Sequence, residues 1–142
     1  MREAEQLDMA ISAILRVLTI DERRVSANLS PVQLNPLDLE ALSYLQRQPG
    51  ATARDIANFL GVGPTTIQSA IDRLAKRGFL KRDSAALKGR AIALTLTDRG
   101  MIVWEQVHRQ NLKNCEQMLR CISENERMRF LEHMTEIAAQ IS

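Results

Sequence analysis

The stretch TARDIANFLGVGPTTIQSAIDRLAKRG, residues 52–78, decides the fold of this 142-residue chain. Thr52 and Asp55 stand three residues apart before apolar residues at helical spacing, a variant of the capping box that begins a helix. Gly61 is suited to end that helix in the left-handed conformation. Pro64 favours the first turn of another helix, because its missing N–H needs no partner there. The stretch therefore predicts two helices joined by a sharp corner.

The second of these helices separates apolar from polar side chains. One side carries Ile67, Ala70, Ile71 and Leu74, and the opposite side carries Thr65, Thr66, Gln68, Ser69, Arg73, Lys76 and Arg77. Small polar side chains can hydrogen-bond to base edges and to the sugar-phosphate backbone, and basic side chains can pair with phosphates. Arg73 can also hydrogen-bond to a guanine edge. The competing interpretation is a face that is merely solvated. We favour DNA contact, because the small polar cluster, the basic side chains and the sharp corner occur together in this stretch.

After Gly78 the apolar period changes from helical to alternating. The residues FLKR (79–82) and AIALTL (91–96) predict two antiparallel strands, joined by a projecting polar loop, DSAALKG (83–89). Arg82, Lys88 and Arg90 lie in or beside this loop, where long basic side chains reach the DNA backbone or minor groove. Their alternative role is to keep an exposed strand soluble. Helix, turn, helix and hairpin together predict a winged helix-turn-helix DNA-binding region over residues 35–100.

Amphipathic helices flank this region. Upstream, Asn35 and Pro36 are suited to begin a helix that Pro49 ends, and a first helix is predicted from Ala4 to Val25. Its apolar stripe is Leu7, Ile11, Ile14, Leu18 and Val25.

Downstream, Thr97 and Asp98 begin a long helix that runs to about Arg120. Ser123 and Glu126 predict a capping box for a last helix. That helix carries the apolar stripe Met128, Leu131, Met134, Ala138 and Ile141. The stripes within residues 1–34 and 101–142 need another surface to cover them, so we interpret both segments as dimerisation helices of one domain, 1–142.

Composition agrees with a mainly α fold that has a small β-hairpin wing. Apolar residues make up 45% of the chain, which excludes a disordered protein, and aromatic residues only 4%, which disfavours a β-sandwich. Residues 51–100 carry nine basic and four acidic side chains, whereas the flanking segments are slightly acidic. This basic centre indicates a polyanionic partner. No apolar run is long enough to cross a membrane, and the polar N-terminus is unlike a signal peptide, so we expect a cytoplasmic protein without a membrane partner.

The residues from Leu29 to Gly100 resemble the MarR family of bacterial transcription regulators. The resemblance rests on Pro49-Gly50, on Thr52 to Ala57, on Asp72-Arg73-Leu74 with Gly78, and on Leu96-Thr97 with Gly100. It implies an obligate homodimer with interlocked terminal helices that binds double-stranded DNA at a pseudo-palindrome, and it implies a repressor. Where the family often has D-R-R in the wing, this chain has Lys88-Gly89-Arg90, so the wing lacks that acidic residue. Asp72 is a candidate to tether Arg82 or Arg90 instead.

The resemblance also implies a small lipophilic or phenolic effector, bound between the winged region and the dimer helices. Met101, Trp104 and His108 lie near that place, although packing is the favoured role for Trp104. Reactive thiols need an exposed, electropositive setting. We expect Cys115 and Cys121 to be buried and inert instead, because they lie in the segment interpreted as a dimerisation region. Together with His108, His133 and Glu116 they give no spacing typical of a metal site. We therefore expect no metal and no cofactor.

Two further alternatives stay open. One is a winged-helix module that binds proteins and not specific DNA, and the other is a redox- or metal-responsive regulator. A protein-binding surface would carry apolar anchors on the outward face of the helix that Pro64 begins. An enzyme is not expected, because the sequence has neither a nucleophile-base arrangement nor a phosphate-binding glycine loop.

Overall fold

The computed structural model describes residues 2–20, 34–88 and 91–142, with side chains described in these ranges except at 19, 20 and 84–88. In the described residues there are six helices and one two-stranded antiparallel sheet, which confirms the winged helix-turn-helix architecture. In chain order they are α1 Arg2–Ile20, α2 Pro36–Arg47, α3 Ala53–Leu60, α4 Pro64–Lys76, β1 Leu80–Lys88, β2 Ala91–Leu96, α5 Asp98–Arg120 and α6 Glu124–Ile141. Helix α1 begins two residues before the predicted Ala4, and the predicted end at Val25 lies outside the described residues.

The chain divides into two compact units, Met1–Glu105 and Gln106–Ser142, which are described separately.

Helix α2 begins as the sequence predicts. Asn35 is the N-cap, and its Oδ1 accepts a hydrogen bond from the backbone N–H of Asp38 at 2.8 Å. Pro36 is the first helical residue. The helix ends at Arg47, and Gly50 follows with a φ of 87°, a left-handed conformation that residues other than glycine rarely adopt.

The corner between α3 and α4 also forms as predicted. Thr52 Oγ1 accepts from the N–H of Asp55 at 3.2 Å, and Asp55 Oδ2 accepts from the N–H of Thr52 at 3.0 Å, which completes the capping box. Gly61 ends α3 with a φ of 69°. Pro64 begins α4 after only Val62 and Gly63. Helices α3 and α4 are therefore joined by a tight turn.

The hairpin corrects one prediction. Residues 83–88, which were predicted as loop, form the outer part of β1, so only residues 89 and 90 separate the strands. Asp83 pairs with Ala93 and Lys88 pairs with Ala91, so five steps along β1 face two steps along β2. An irregularity of this kind accommodates extra residues in one strand while the two strands stay paired. The alternation of apolar and polar residues in the sequence does not reveal it.

Strand β2 is bonded to the segment between α2 and α3. Gly50 N–H donates to the carbonyl of Leu94 at 2.8 Å, and Leu94 N–H donates to the carbonyl of Ala51 at 2.9 Å. These two bonds fix the hairpin to the segment just before α3. The hairpin is therefore held in place relative to α3 and α4.

The core of the first unit lies between α2, α3, α4 and the hairpin. Its largest side chains have almost no exposed surface, and they are Leu42, Leu45, Ile56, Ile67, Ile71, Leu74 and Phe79. Burying each of these stabilises the fold by roughly 1.5–3 kcal/mol in transfer free energy. The buried face of α4 is the predicted one, so its polar face is turned to solvent.

The first turn of α5 packs directly on the end of α4. Thr97 Oγ1 donates to the carbonyl of Gly78 and accepts from the N–H of Gly100 at 3.0 Å. Gly100 lies so close to Phe79 that a Cβ would stand 1.9 Å from the Phe79 carbonyl oxygen. The L-T-x-x-G residues thus form a close approach that only glycine allows.

In the second unit, the C-terminal turn of α5 is capped by α6. Arg127 Nε donates to the carbonyl of Leu119 at 2.9 Å, in the last turn of α5, and to that of Ile122 at 3.2 Å, two residues after the helix. Ser123 is the N-cap of α6, as predicted, but the predicted capping box is wrong. The N–H of Glu126 donates to the backbone carbonyl of Ser123 at 3.0 Å, and the Ser123 hydroxyl makes no capping bond.

The predicted apolar stripes of the terminal helices are exposed in the single chain. On α1 they include Leu7, Ile11 and Ile14, and on α6 they include Met128, Leu131, Met134 and Ile141. Leu131 is 46% exposed and Ile141 is 82% exposed, and α6 has no buried residue at all. Among the described helices, none has the length and hydropathy of a membrane span.

Candidate nucleic-acid interface

The outward face of α4 carries the predicted polar cluster. Thr65, Thr66, Gln68 and Ser69 are all exposed and lie in the first two turns of the helix. Ser69 Oγ donates to the carbonyl of Thr65 at 3.1 Å, within the helix. Residues at the N-terminal end of a recognition helix are those that reach base edges in helix-turn-helix proteins. The structure thus brings the four small polar residues together at the N-terminal end of α4, and their contact with bases stays a prediction.

The N-terminus of α4 adds to this face. Its N-cap is Gly63, which has no side chain and therefore makes no side-chain capping bond to the first N–H groups of the helix. Unpaired N–H groups at a helix N-terminus attract phosphate.

Gln68 and Arg82 meet at Asp72. Gln68 Nε2 donates to Asp72 Oδ1 at 3.1 Å, and Arg82 Nη2 forms an ion pair with the same oxygen. Asp72 lies on α4 and Arg82 on β1, so this contact links α4 to the hairpin. The predicted tether between Asp72 and the wing is confirmed for Arg82, and Arg90 lies outside the described residues.

Arg73 has a partner that the sequence did not reveal. Its Nη2 lies 2.8 Å from Asp38 Oδ1, and its Nε lies 3.4 Å from Asp38 Oδ2. The Asp38 side chain is only 4% exposed, whereas that of Arg73 is 45% exposed. The guanidinium is therefore held on one edge by a buried carboxylate, and its remaining surface faces solvent. Arg73 as a DNA contact stays a prediction.

The hydrogen bond from Arg73 to Asp38 raises the pKa of the Arg73 guanidinium, against a smaller lowering by burial. A base whose pKa is raised on folding stabilises the fold below its ordinary pKa, and that effect disappears only as the pH rises through the folded value. The Arg73 guanidinium therefore stays positively charged around neutral pH.

Lys76 is exposed, as predicted, near the C-terminal end of α4. Arg77 lies over the ring of Phe79, with 5.0 Å between the guanidinium carbon and the ring centroid. Arg99 approaches the same ring at 5.7 Å. Arg77 is thus partly engaged in packing by a cation–π contact, and Lys76 is the more accessible base of the two.

In the wing, the structure describes Arg82 with its side chain and Lys88 by its backbone alone. Lys88 pairs with Ala91 at the outer end of the hairpin. Its side chain, like all of Arg90, lies outside what the structure describes. The wing roles of Lys88 and Arg90 stay predictions.

Two residues beside α4 were missed in the sequence. An open groove of about 530 Å³ runs between α3 and α4, and Arg54, Asn58 and Gln68 are its polar lining residues. Arg54 and Asn58 stand four residues apart, on the exposed face of α3. That spacing in TARDIANFLG could have revealed them, because residues i and i+4 share a helix face.

The three effector candidates fall in different units. Met101 and Trp104 belong to the first unit and are half-buried, and His108 belongs to the second. Trp104 packs against the core, and its Nε1 donates to Ser43 Oγ at 3.1 Å. Packing is thus confirmed for Trp104, and an effector site at these residues stays a prediction.

The two thiols lie at the surface of the single chain. Cys115 on α5 and Cys121, directly after that helix, are both exposed there, and their burial in a dimer stays a prediction. No packing within the described residues covers them. Cys121 Sγ donates to the carbonyl of Gln117 at 3.4 Å. No group of three metal-ligating side chains is found within residues 2–20, 34–88 and 91–142.

A family model described as the MarR family matches residues 32–91. The HTH-type transcriptional repressor Rv2887 of Mycobacterium tuberculosis is 30% identical over 87 residues, which are 61% of this chain and 63% of that protein. The HTH-type transcriptional regulator PecS of Dickeya dadantii is 26% identical over 122 residues, 84% of this chain and 74% of that protein. The chain thus spans less than two thirds of the mycobacterial relative.

The fold is also found in a solved structure. Streptococcus pneumoniae FabT, crystallised in complex with DNA, matches with a TM-score of 0.80 over 97% of this chain and 96% of that chain, at 16% identity. This likeness extends over both terminal helices, which the family model does not cover.

Proposed function

We propose that this chain, which matches the MarR family model over residues 32–91, is a member of that family and a transcriptional repressor that binds double-stranded DNA through the outward face of α4 and through its wing. The relatives that it matches are named as transcriptional repressors and regulators, not as enzymes.

The observation that carries the proposal is the composition of the α4 face. Thr65, Thr66, Gln68 and Ser69 stand at its N-terminal end, and Lys76 stands towards its C-terminal end. Small polar side chains hydrogen-bond to the edges of DNA bases, and a positively charged side chain beyond them neutralises a phosphate. A docking surface for proteins would instead present large apolar anchors there. None of the exposed residues on this face is a large apolar side chain.

The chain acts as a homodimer in this proposal. The exposed apolar residues of α1 and α6 would be covered by the same helices of a second copy, since isolated apolar stripes of this length are costly in water. Two winged regions related by a twofold axis bind two half-sites, so the operator is a pseudo-palindrome. FabT, which shares the fold, was crystallised in complex with DNA, and this supports the same use of the fold here.

A small lipophilic or phenolic ligand releases the operator in this proposal. The candidate contacts are Met101, Trp104 and His108. Trp104 is the one tryptophan of the chain, so its fluorescence reports directly on this region. We expect a simple phenolic acid to quench that fluorescence and to lower DNA affinity over the same concentration range.

DNA binding is tested by fluorescence anisotropy. The DNA upstream of the reading frame is compared with a scrambled duplex of equal length, at two salt concentrations. We expect a preference of about a thousandfold or more, with a steep fall in affinity as salt rises. Equal, weak binding to both duplexes, with specific capture of a protein, would instead favour a docking module.

A further inference from the structure

The Asp72 carboxylate joins the recognition helix to the wing through a single oxygen. Asp72 Oδ1 accepts a hydrogen bond from Gln68 Nε2 at 3.1 Å and forms an ion pair with Arg82 Nη2. Gln68 stands one helical turn before Asp72, and both side chains are exposed on the outward face of α4. The nearby Arg82 charge balances that of Asp72, so the carboxylate can lie on a surface that meets phosphates.

This contact fixes the orientation of the Gln68 amide. An ionised carboxylate only accepts hydrogen bonds, so the group of Gln68 that meets Asp72 is its NH₂ and not its carbonyl. One N–H is then used by Asp72. This contact does not use the second N–H or the carbonyl oxygen Oε1, so the exposed Gln68 side chain keeps one donor and one acceptor.

A donor beside an acceptor matches one base edge in the major groove. Adenine presents N7 as an acceptor and its N6 amino group as a donor, which is the pair that a glutamine binds with two hydrogen bonds. Guanine presents two acceptors there, and cytosine presents a donor without the adjoining acceptor. Gln68 is the fifth residue of α4, at the end of a recognition helix that contacts bases.

We propose that Gln68 reads an adenine in each half-site, and that Asp72 is the positioning residue that holds the Gln68 amide for this contact. This inference rests on the proposed function, and it specifies one DNA base, an adenine, that the chain recognises in each half-site. Asp72 itself touches no base. Its effect is on the preference at one position and not on the general attraction to DNA.

The test is selection from a pool of random duplexes of about 24 base pairs, long enough for two half-sites one helical turn apart. The enriched duplex is then varied at each position. Affinities are measured for the unaltered chain, for Gln68→Ala, Asp72→Ala and Arg82→Gln, and for the double variant that combines the first two. The matched control is Glu40→Gln, because Glu40 is an exposed carboxylate on α2 and its removal changes the net charge by the same one unit as Asp72→Ala.

We expect the unaltered chain to prefer adenine at one position per half-site by roughly 5- to 150-fold, the range for a bidentate contact. Gln68→Ala should abolish the preference at that position alone. Asp72→Ala should weaken the preference there, and the double variant should discriminate no worse than Gln68→Ala. Glu40→Gln should leave the preference intact. Arg82→Gln should lower affinity for all duplexes while keeping the adenine preference, because Asp72 still holds Gln68.

Three results would overturn the inference while leaving DNA binding in place. They are a position sensitive to Gln68→Ala that is not adenine, a preference unchanged in Asp72→Ala, and an Arg82→Gln variant whose adenine preference falls as in Asp72→Ala. The last result would mean that Asp72 acts only through the wing. If selection enriches no sequence, the proposed function fails together with the inference.

Discussion

Arg73 on α4 and Asp38 on α2 form an ion pair in which Arg73 Nη2 lies 2.8 Å from the buried Asp38 Oδ1. The pair joins the third turn of α4 to the first turn of α2. There the N-cap bond from Asp38 N–H to Asn35 fixes the backbone that carries the carboxylate. The position of α4 is thus set by a specific polar contact as well as by its apolar face.

Arg73→Ala should lower the free energy of unfolding more than Lys76→Ala, because only the first variant leaves a buried carboxylate without its partner. Both substitutions remove one positive charge from α4, so Lys76→Ala is the matched control. It should change stability by no more than about 0.5 kcal/mol, the usual range for a surface site. Urea unfolding of the two variants measures the difference, and equal midpoints would show that the pair does not stabilise α4.

Gly100→Ala should destabilise the chain by about 3 kcal/mol or prevent folding, because the new Cβ would collide with backbone atoms of Phe79. Gly63→Ala is the control, since no atom lies within 4 Å of a Cβ there and its φ is not left-handed. That variant should lower stability by less than about 1 kcal/mol. Thermal unfolding followed by circular dichroism compares them. A Gly100→Ala chain as stable as Gly63→Ala would argue against the close packing of α5 on Phe79.

Lys76→Ala should weaken binding to specific and scrambled duplexes by a similar factor, because a phosphate contact carries no sequence information. The slope of log K against log salt should fall in magnitude by about 0.9 for each phosphate that the variant no longer neutralises. Anisotropy titrations at several salt concentrations give the slope. The same change is predicted for Arg90→Ala in the wing. A slope identical to that of the unaltered chain would remove the residue concerned from the phosphate contacts.

Leu131→Glu should separate the dimer, because it places a charge in the middle of the exposed apolar stripe of α6. Sedimentation equilibrium should then give the mass of one chain, 16.0 kDa, in place of twice that mass. Glu132→Gln, at the next position on the polar side of the helix, is the control and should stay dimeric. If the unaltered chain already sediments as a single copy, the homodimer is wrong.

Much of the winged region could be predicted from the sequence, because its decisive signals are local. Thr52 with Asp55, Gly61 and Pro64 each act within one turn of helix, and the structure shows each in its predicted role. The separation of polar and apolar side chains on α4 follows from helical spacing alone. The structure accordingly buries the predicted apolar face of this helix.

The features that could not be predicted depend on contacts between distant residues. Asp38 and Arg73 are 35 residues apart, and nothing in their spacing marks them as partners. The extension of β1 to Lys88 depends on an irregular register with β2, which simple alternation cannot encode. At Ser123 the backbone carbonyl accepts the N–H that the capping box assigned to the hydroxyl.

The most direct test of a homodimeric repressor with α4 in the major groove is a hydroxyl-radical footprint on the duplex enriched by selection. Two winged regions related by a twofold axis should protect two symmetric patches on one face of the DNA, with centres one helical turn, about 10 base pairs, or a multiple of it apart. A single asymmetric patch, or protection spread evenly along the duplex, would contradict the proposal that two copies of α4 read two half-sites.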